Sequence, residues 1–139
     1  MKLNEEQTAR LRQLAEREGI SLLLLFGSAV TEKIHADSDV DVAVLFQGER
    51  NLTGAEYSEL VHELQELFPD HPVDLGVINH ADPLFLGKIT ENCQILYGMP
   101  QTLQKLKIYA FKRYQDHRRY FDLEQKYVEK FLKTRKAAS

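Results

Sequence analysis

Two short stretches of the 139-residue chain carry side chains that can do chemistry. Gly27-Ser28 closes the apolar run Leu22–Phe26, and after ten intervening residues Asp39 and Asp41 stand one residue apart at the head of a second run, Val40–Phe46. In an extended strand a two-residue period puts both carboxylates on one face and Val40, Val42 and Val44 on the other. The aspartate face is therefore expected to carry something other than a core. A Gly-Ser turn between a strand and a helix leaves backbone N–H groups to meet phosphate oxygens; Gly27 has no Cβ to hold a ligand off, and Ser28 adds a hydroxyl. Two carboxylates at i and i+2 can share hard divalent ions such as Mg²⁺, which take oxygen ligands and commonly bind through carboxylates plus substrate phosphates. The two grips converge, so the expected site binds a nucleotide with metal.

Either motif alone is as readily structural, since Gly-Ser pairs are common in turns and Asp-x-Asp can open an exposed strand. Together they differ. An aspartate at the mouth of an apolar run sits beside buried surface, where an unpaired charge is costly unless a cation or hydrogen bonds offset it. Asp74, inside Val73–Ile78, repeats the difficulty and fits a third metal ligand; the structural alternative is a carboxylate facing solvent on an edge strand. No Ser-His-Asp arrangement is readable, the five histidines lack metal-ligand spacing, and His35, in the loop before Asp39, reads as solvated.

Gly27-Ser28, ten residues, then Asp39-x-Asp41 resembles the signature of the polymerase-beta-like nucleotidyltransferases. The short chain looks like their minimal form and is most similar to the MntA-type antitoxins of HEPN–MNT toxin–antitoxin pairs, over about residues 20 to 98. The resemblance implies an α/β (α+β) domain: a small mixed sheet flanked by helices, with catalytic, metal-binding Asp39, Asp41 and Asp74 along one edge of a cleft. Gly27 and Ser28 would hold the terminal phosphates of ATP. Two Mg²⁺ ions are implied, one held by all three aspartates beside an acceptor hydroxyl and one held by Asp39 and Asp41 on the triphosphate. The implied reaction places AMP on a tyrosine of a cognate HEPN ribonuclease toxin and blocks its RNA cleavage. A non-catalytic binding antitoxin and a nucleotidyltransferase for a small molecule or an RNA end are the alternatives. Where many relatives carry Arg and Gly after the Gly-Ser, this chain has Ala29-Val30 and then Thr31-Glu32-Lys33, so no phosphate contact carries over there.

The elements that must position these residues are legible in order. Asn4-Glu5-Glu6-Gln7 is a capping box, and Leu11 and Leu14 keep helical spacing until Gly19. Ser21–Phe26 predicts a strand, Ser28 to about Lys33 a short helix, Ile34–Ser38 a loop and Asp39–Phe46 a second strand. Thr53-Gly54-Ala55-Glu56 caps a helix to Phe68 whose stripe is Leu60, Val61, Leu64, Leu67 and Phe68. Beyond the breaker Pro69–Pro72, Val73–Asn79 predicts a third strand. Asp82-Pro83 starts a helix to about Asn92, on which Lys88 reads as solvated, and Cys93–Tyr97 is a fourth strand.

From Pro100 no Gly or further Pro occurs, which predicts one helix about 50 Å long at roughly 1.5 Å per residue. Leu103, Leu106, Ala110, Tyr114, His117, Phe121, Val128 and Phe131 form its apolar stripe. Lys105, Lys112, Arg119, Lys126 and Lys133 form a basic ridge roughly opposite. The helix is longer than a small domain can cover, which leaves aromatic surface for a partner or a second copy. The expected organisation is one domain overall: nucleotidyltransferase residues 1–98 and a helical extension, 99–139, packed on it or on a partner. The formal charge of −3 conceals 7 Lys and Arg against 17 Asp and Glu in residues 1–100, and 11 against 4 thereafter. No sequence-reading nucleic-acid module is visible and no nucleic-acid partner is expected. Cys93, the single cysteine, excludes an internal disulfide, and the absence of a signal peptide or a spanning segment predicts a cytoplasmic protein without membrane contact.

Overall fold

The computed structural model describes residues 2–30 and 38–138, with side chains as far as 134. A four-stranded mixed sheet lies between two pairs of helices. The helices are α1 (Glu5–Glu18), α2 (Gly54–Leu67), α3 (Pro83–Glu91) and α4 (Pro100–Ala138), and the strands are β1 (Ile20–Phe26), β2 (Val40–Phe46), β3 (Val73–Val77) and β4 (Cys93–Tyr97). The strand order is β3-β2-β1-β4; β1 is antiparallel to β2 and β4, and β2 runs parallel to β3.

Leu22–Phe26 reads as continuous hydrophobe because β1 is central and buried on both faces. One face joins Leu23, Leu25, Val40, Val42 and Val44 to Leu11 and Leu14 of α1 and Leu60 and Leu64 of α2. The other joins Leu22, Leu24, Phe26 and Ala43 to Leu86 and Ile89 of α3 and Leu106 and Ala110 of α4. This second core corrects one expectation. The strand face that carries Asp41 turns apolar at Ala43 and is covered by helices, so its polar character is confined to the strand's N-terminal end.

The three predicted N-caps form. Asn4 and Thr53 close reciprocal capping boxes with Gln7 and Glu56, and Asp82 Oδ1 accepts from the Phe85 N–H at 2.8 Å. Strand ends differ by a residue or two from the expected ones: β1 starts at Ile20, β2 at Val40 and β3 stops at Val77. Asn79 lies beyond β3, where its amide accepts from the Phe46 N–H and donates to the Phe46 carbonyl, pinning the far end of β2. After β1 a single 3₁₀ turn, Gly27–Ala29, is formed; residues 31–37 of the expected short helix and loop, His35 included, lie outside the described residues.

Candidate active site

β1 delivers the Gly-Ser turn and β2 delivers Asp41 to the same point, because Phe26 and Asp41 are paired across the antiparallel ladder. Gly27 has φ +76°, a left-handed conformation that favours glycine. A Cβ there would lie 2.5 Å from Asp41 Oδ2, so the carboxylate rests directly on the bare backbone of the turn. Ser28 follows in the 3₁₀ turn, half-buried, and Val30 donates its N–H to the Gly27 carbonyl.

On the other side of β2, Asp41 pairs with Asp74 in the parallel ladder. The register is held at both ends: at the entry Val40 donates to the Pro72 carbonyl at 2.7 Å, and Gln65 of α2 accepts from the Val73 N–H while donating to the Phe68 and His71 carbonyls; at the exit Ile78 donates to the Val44 carbonyl at 2.8 Å. Asp39 is exposed immediately before β2, and Asp74 is exposed on the edge strand. Exposure removes the burial argument for Asp74 as a ligand, since an edge carboxylate in water bears little desolvation cost. What singles it out is the place opposite Asp41. Burial raises the Asp41 carboxyl above its ordinary range, and the charges of Asp74 and, to a smaller degree, Asp39 raise it further, while Lys88 opposes them.

Lys88, which the sequence reads as solvated or as within reach of a triphosphate, faces the same place. Phe85 packs edge-on to Phe26, with ring centroids 5.9 Å apart, and lies against Gly76, where a Cβ would come within 2.6 Å of the ring. That contact seats α3 on the sheet, and Lys88, one helical turn on, lines an open hollow of about 490 Å³ with Gly27, Ser28, Glu91 and Asn92.

Cys93 begins β4, and burial raises its thiol above the usual range, in keeping with an inert strand-end cysteine. Among the described residues no three His, Cys, Asp or Glu side chains stand close enough together to enclose an ion, and no helix is long and apolar enough to cross a membrane. The donors near Gly27 are carboxylate oxygens, the chemistry that suits Mg²⁺, which completes its shell with water and substrate phosphates. Asp39 and Asp41 with a bound triphosphate therefore fit the ion, and Asp74 stands beside them.

Among solved structures, the fold matches a chain of a toxin–antitoxin complex with AMP-PNP at 22% identity and a TM-score of 0.69, covering 90% of this chain and 97% of that one. It also matches a chain of the complex of tri-AMPylated Shewanella oneidensis HEPN toxin with MNT antitoxin, at 20% identity and a TM-score of 0.63, over 92% of this chain and 97% of that one. A spectinomycin adenyltransferase from Enterococcus faecialis, solved with ATP and spectinomycin, aligns at 15% identity with a TM-score of 0.51, over 73% and 58%. At such identities the likeness is one of fold. No curated protein matches the chain in sequence. The family described as Polymerase beta, Nucleotidyltransferase matches residues 10–102, a span that runs from α1 into the start of α4 and takes in the Gly-Ser turn and all three aspartates. A sheet that sets a carboxylate on a Gly-Ser turn and a family match across the whole sheet agree: this chain belongs to the polymerase beta nucleotidyltransferase family.

Proposed function

We propose that the chain is an antitoxin that transfers AMP from ATP to a tyrosine hydroxyl of a HEPN-type toxin. The observation that carries the reading is the seating of Asp41 on Gly27, beside Asp74 and across from Lys88, which puts carboxylates and a phosphate-facing turn at one point. The likeness to chains from toxin–antitoxin complexes, one with AMP-PNP and one with an AMPylated toxin, supports the choice of donor and acceptor.

In the proposed site the backbone of Gly27 and Ser28 receives the triphosphate and Lys88 offsets its negative charge. Asp39, Asp41 and Asp74 would hold Mg²⁺, which when bound supplies charge neutralisation on the phosphates and favours an ionised acceptor oxygen. The acceptor oxygen attacks the α-phosphorus. Its O–P bond forms as the bond from the α-phosphorus to the bridging oxygen breaks, pyrophosphate leaves, and the hydroxyl loses its proton. A binding-only antitoxin would gain nothing from placing Asp74 and Asp39 where their charges raise the Asp41 carboxyl, which weighs against that alternative.

Labelled ATP tests the reaction. Label at the α-phosphate is expected to appear on a cognate HEPN-type toxin, and label at the γ-phosphate to leave as pyrophosphate. Labelling of spectinomycin or an RNA end with the protein left unlabelled would overturn the acceptor. Lys88→Ala is expected to raise KM for ATP about tenfold with a smaller change in kcat, the loss of one charge-assisted phosphate contact. An unchanged KM would remove Lys88 from the site.

A further inference from the structure

Over its first three turns α4 packs one apolar stripe on the domain: Leu106 and Ala110 are buried and Leu103 is half-buried against the same cluster, while Ile108, Tyr109 and Phe111, off that stripe, stay exposed. The same helical face continues past the domain as Tyr114, Phe121, Val128 and Phe131, which are 41%, 51%, 47% and 54% exposed. One apolar stripe is thus covered at its start and bare along the rest of its described length. A contiguous line of large apolar groups on a projecting helix marks an interaction surface, unlike scattered single residues.

Charge and shape narrow the occupant. Two α4 helices laid together would bring two strongly basic segments into contact, each with 11 Lys and Arg against 4 Asp and Glu from residue 101 onward. The remainder of a second copy offers little to bury, because its large exposed hydrophobics among the described residues are only Tyr57, Leu84 and Met99, on separate elements. A different protein that pairs an apolar strip with a net negative charge complements both the stripe and the net basic helix that carries it.

We propose that the projecting part of α4 is the docking surface for the acceptor protein, through an apolar strip on a partner of net negative charge. The identity of that partner rests on the function proposed above; the surface does not. The acid-rich body, with 17 Asp and Glu against 7 Lys and Arg in residues 1–100, repels an acidic partner elsewhere and steers it to the helix.

The test is titration calorimetry of a cognate HEPN-type toxin against the native chain and the double variant Phe121→Glu, Val128→Glu. Both positions are exposed in the free chain, so helix content and melting temperature are expected to hold, as is affinity for ATP with Mg²⁺. Affinity for the HEPN protein is expected to fall about 100-fold or more, as for loss of central interface anchors. Unchanged affinity in the variant would overturn the docking surface while leaving transfer by the native chain intact. Sedimentation showing the native chain as a dimer that the same substitutions dissociate would overturn it in favour of a second copy. Docking that the variant abolishes, with no AMP transferred by the native chain, would uphold the surface and defeat the proposed reaction.

Discussion

Asp41→Asn is expected to abolish nucleotidyl transfer and, in the metal-free protein, to raise stability. The carboxylate sits on Gly27 and pairs with Asp74, so its charge is close to everything the proposed chemistry needs. Losing a metal-binding charge removes several kcal/mol of transition-state stabilisation, about 10³-fold or more in rate. Stability moves the other way. Burial first, then the neighbouring Asp74, raise the Asp41 carboxyl, which therefore takes up a proton more readily in the folded chain than in the unfolded one. That preference favours the fold in acid and is lost as pH rises from the unfolded value through the raised folded one. Above it, the ionised Asp41 weighs against folding, whereas Asn keeps the shape without the charge. Melting curves without metal should show the variant's advantage at about pH 7 and little or none at about pH 4. Added Mg²⁺ should stabilise the native chain and leave the variant unmoved. A variant less stable than the native chain at neutral pH without metal would contradict this electrostatic account.

Gly27→Ala is expected to damage the fold and the reaction together. At φ +76° an alanine bears a backbone cost of about 1–2 kcal/mol. Its methyl would also stand 2.5 Å from Asp41 Oδ2, closer than atoms pack, so the carboxylate must swing off the turn. Displacement of a positioned group by about 1 Å is enough for a 10²-fold loss in rate. Denaturant unfolding and the labelling assay check both halves. Gly54→Ala, at the start of α2 where an added methyl meets open space, is the control and should leave transfer unchanged. Equal activity in the two variants would show that the contact between the turn and Asp41 plays no part.

The fold was legible where local chemistry decides it. The Asn4, Thr53 and Asp82 caps, the αL Gly19 and the two-residue period of Val40, Val42 and Val44 each named an element that formed. Strand order was not legible, because pairing depends on contacts distant in sequence, such as Asn79 pinning the far end of β2 at Phe46. For the same reason the second core beneath Ala43 went unread: alternation says which residues share a face but not what covers it. Asp74 was placed in the right strand for a reason that fails, since its strand is an edge and its carboxylate lies in water. Periodicity likewise gave the face of α4 without showing that the domain covers it only as far as Ala110. The Gly-Ser turn and Asp41 are the part of the site the spacing did announce, and the β1–β2 pairing explains why: antiparallel register brings the end of one run to the start of the next.

Intact-mass analysis of a cognate HEPN-type toxin, after incubation with the chain, ATP and Mg²⁺, tests the central claim most directly. The account predicts added whole AMP units with the native chain and none with the Asp39→Ala, Asp41→Ala double variant, which should remain folded. An unmodified HEPN protein that is nonetheless bound and neutralised by the double variant would contradict catalysis and leave an antitoxin that acts by binding alone.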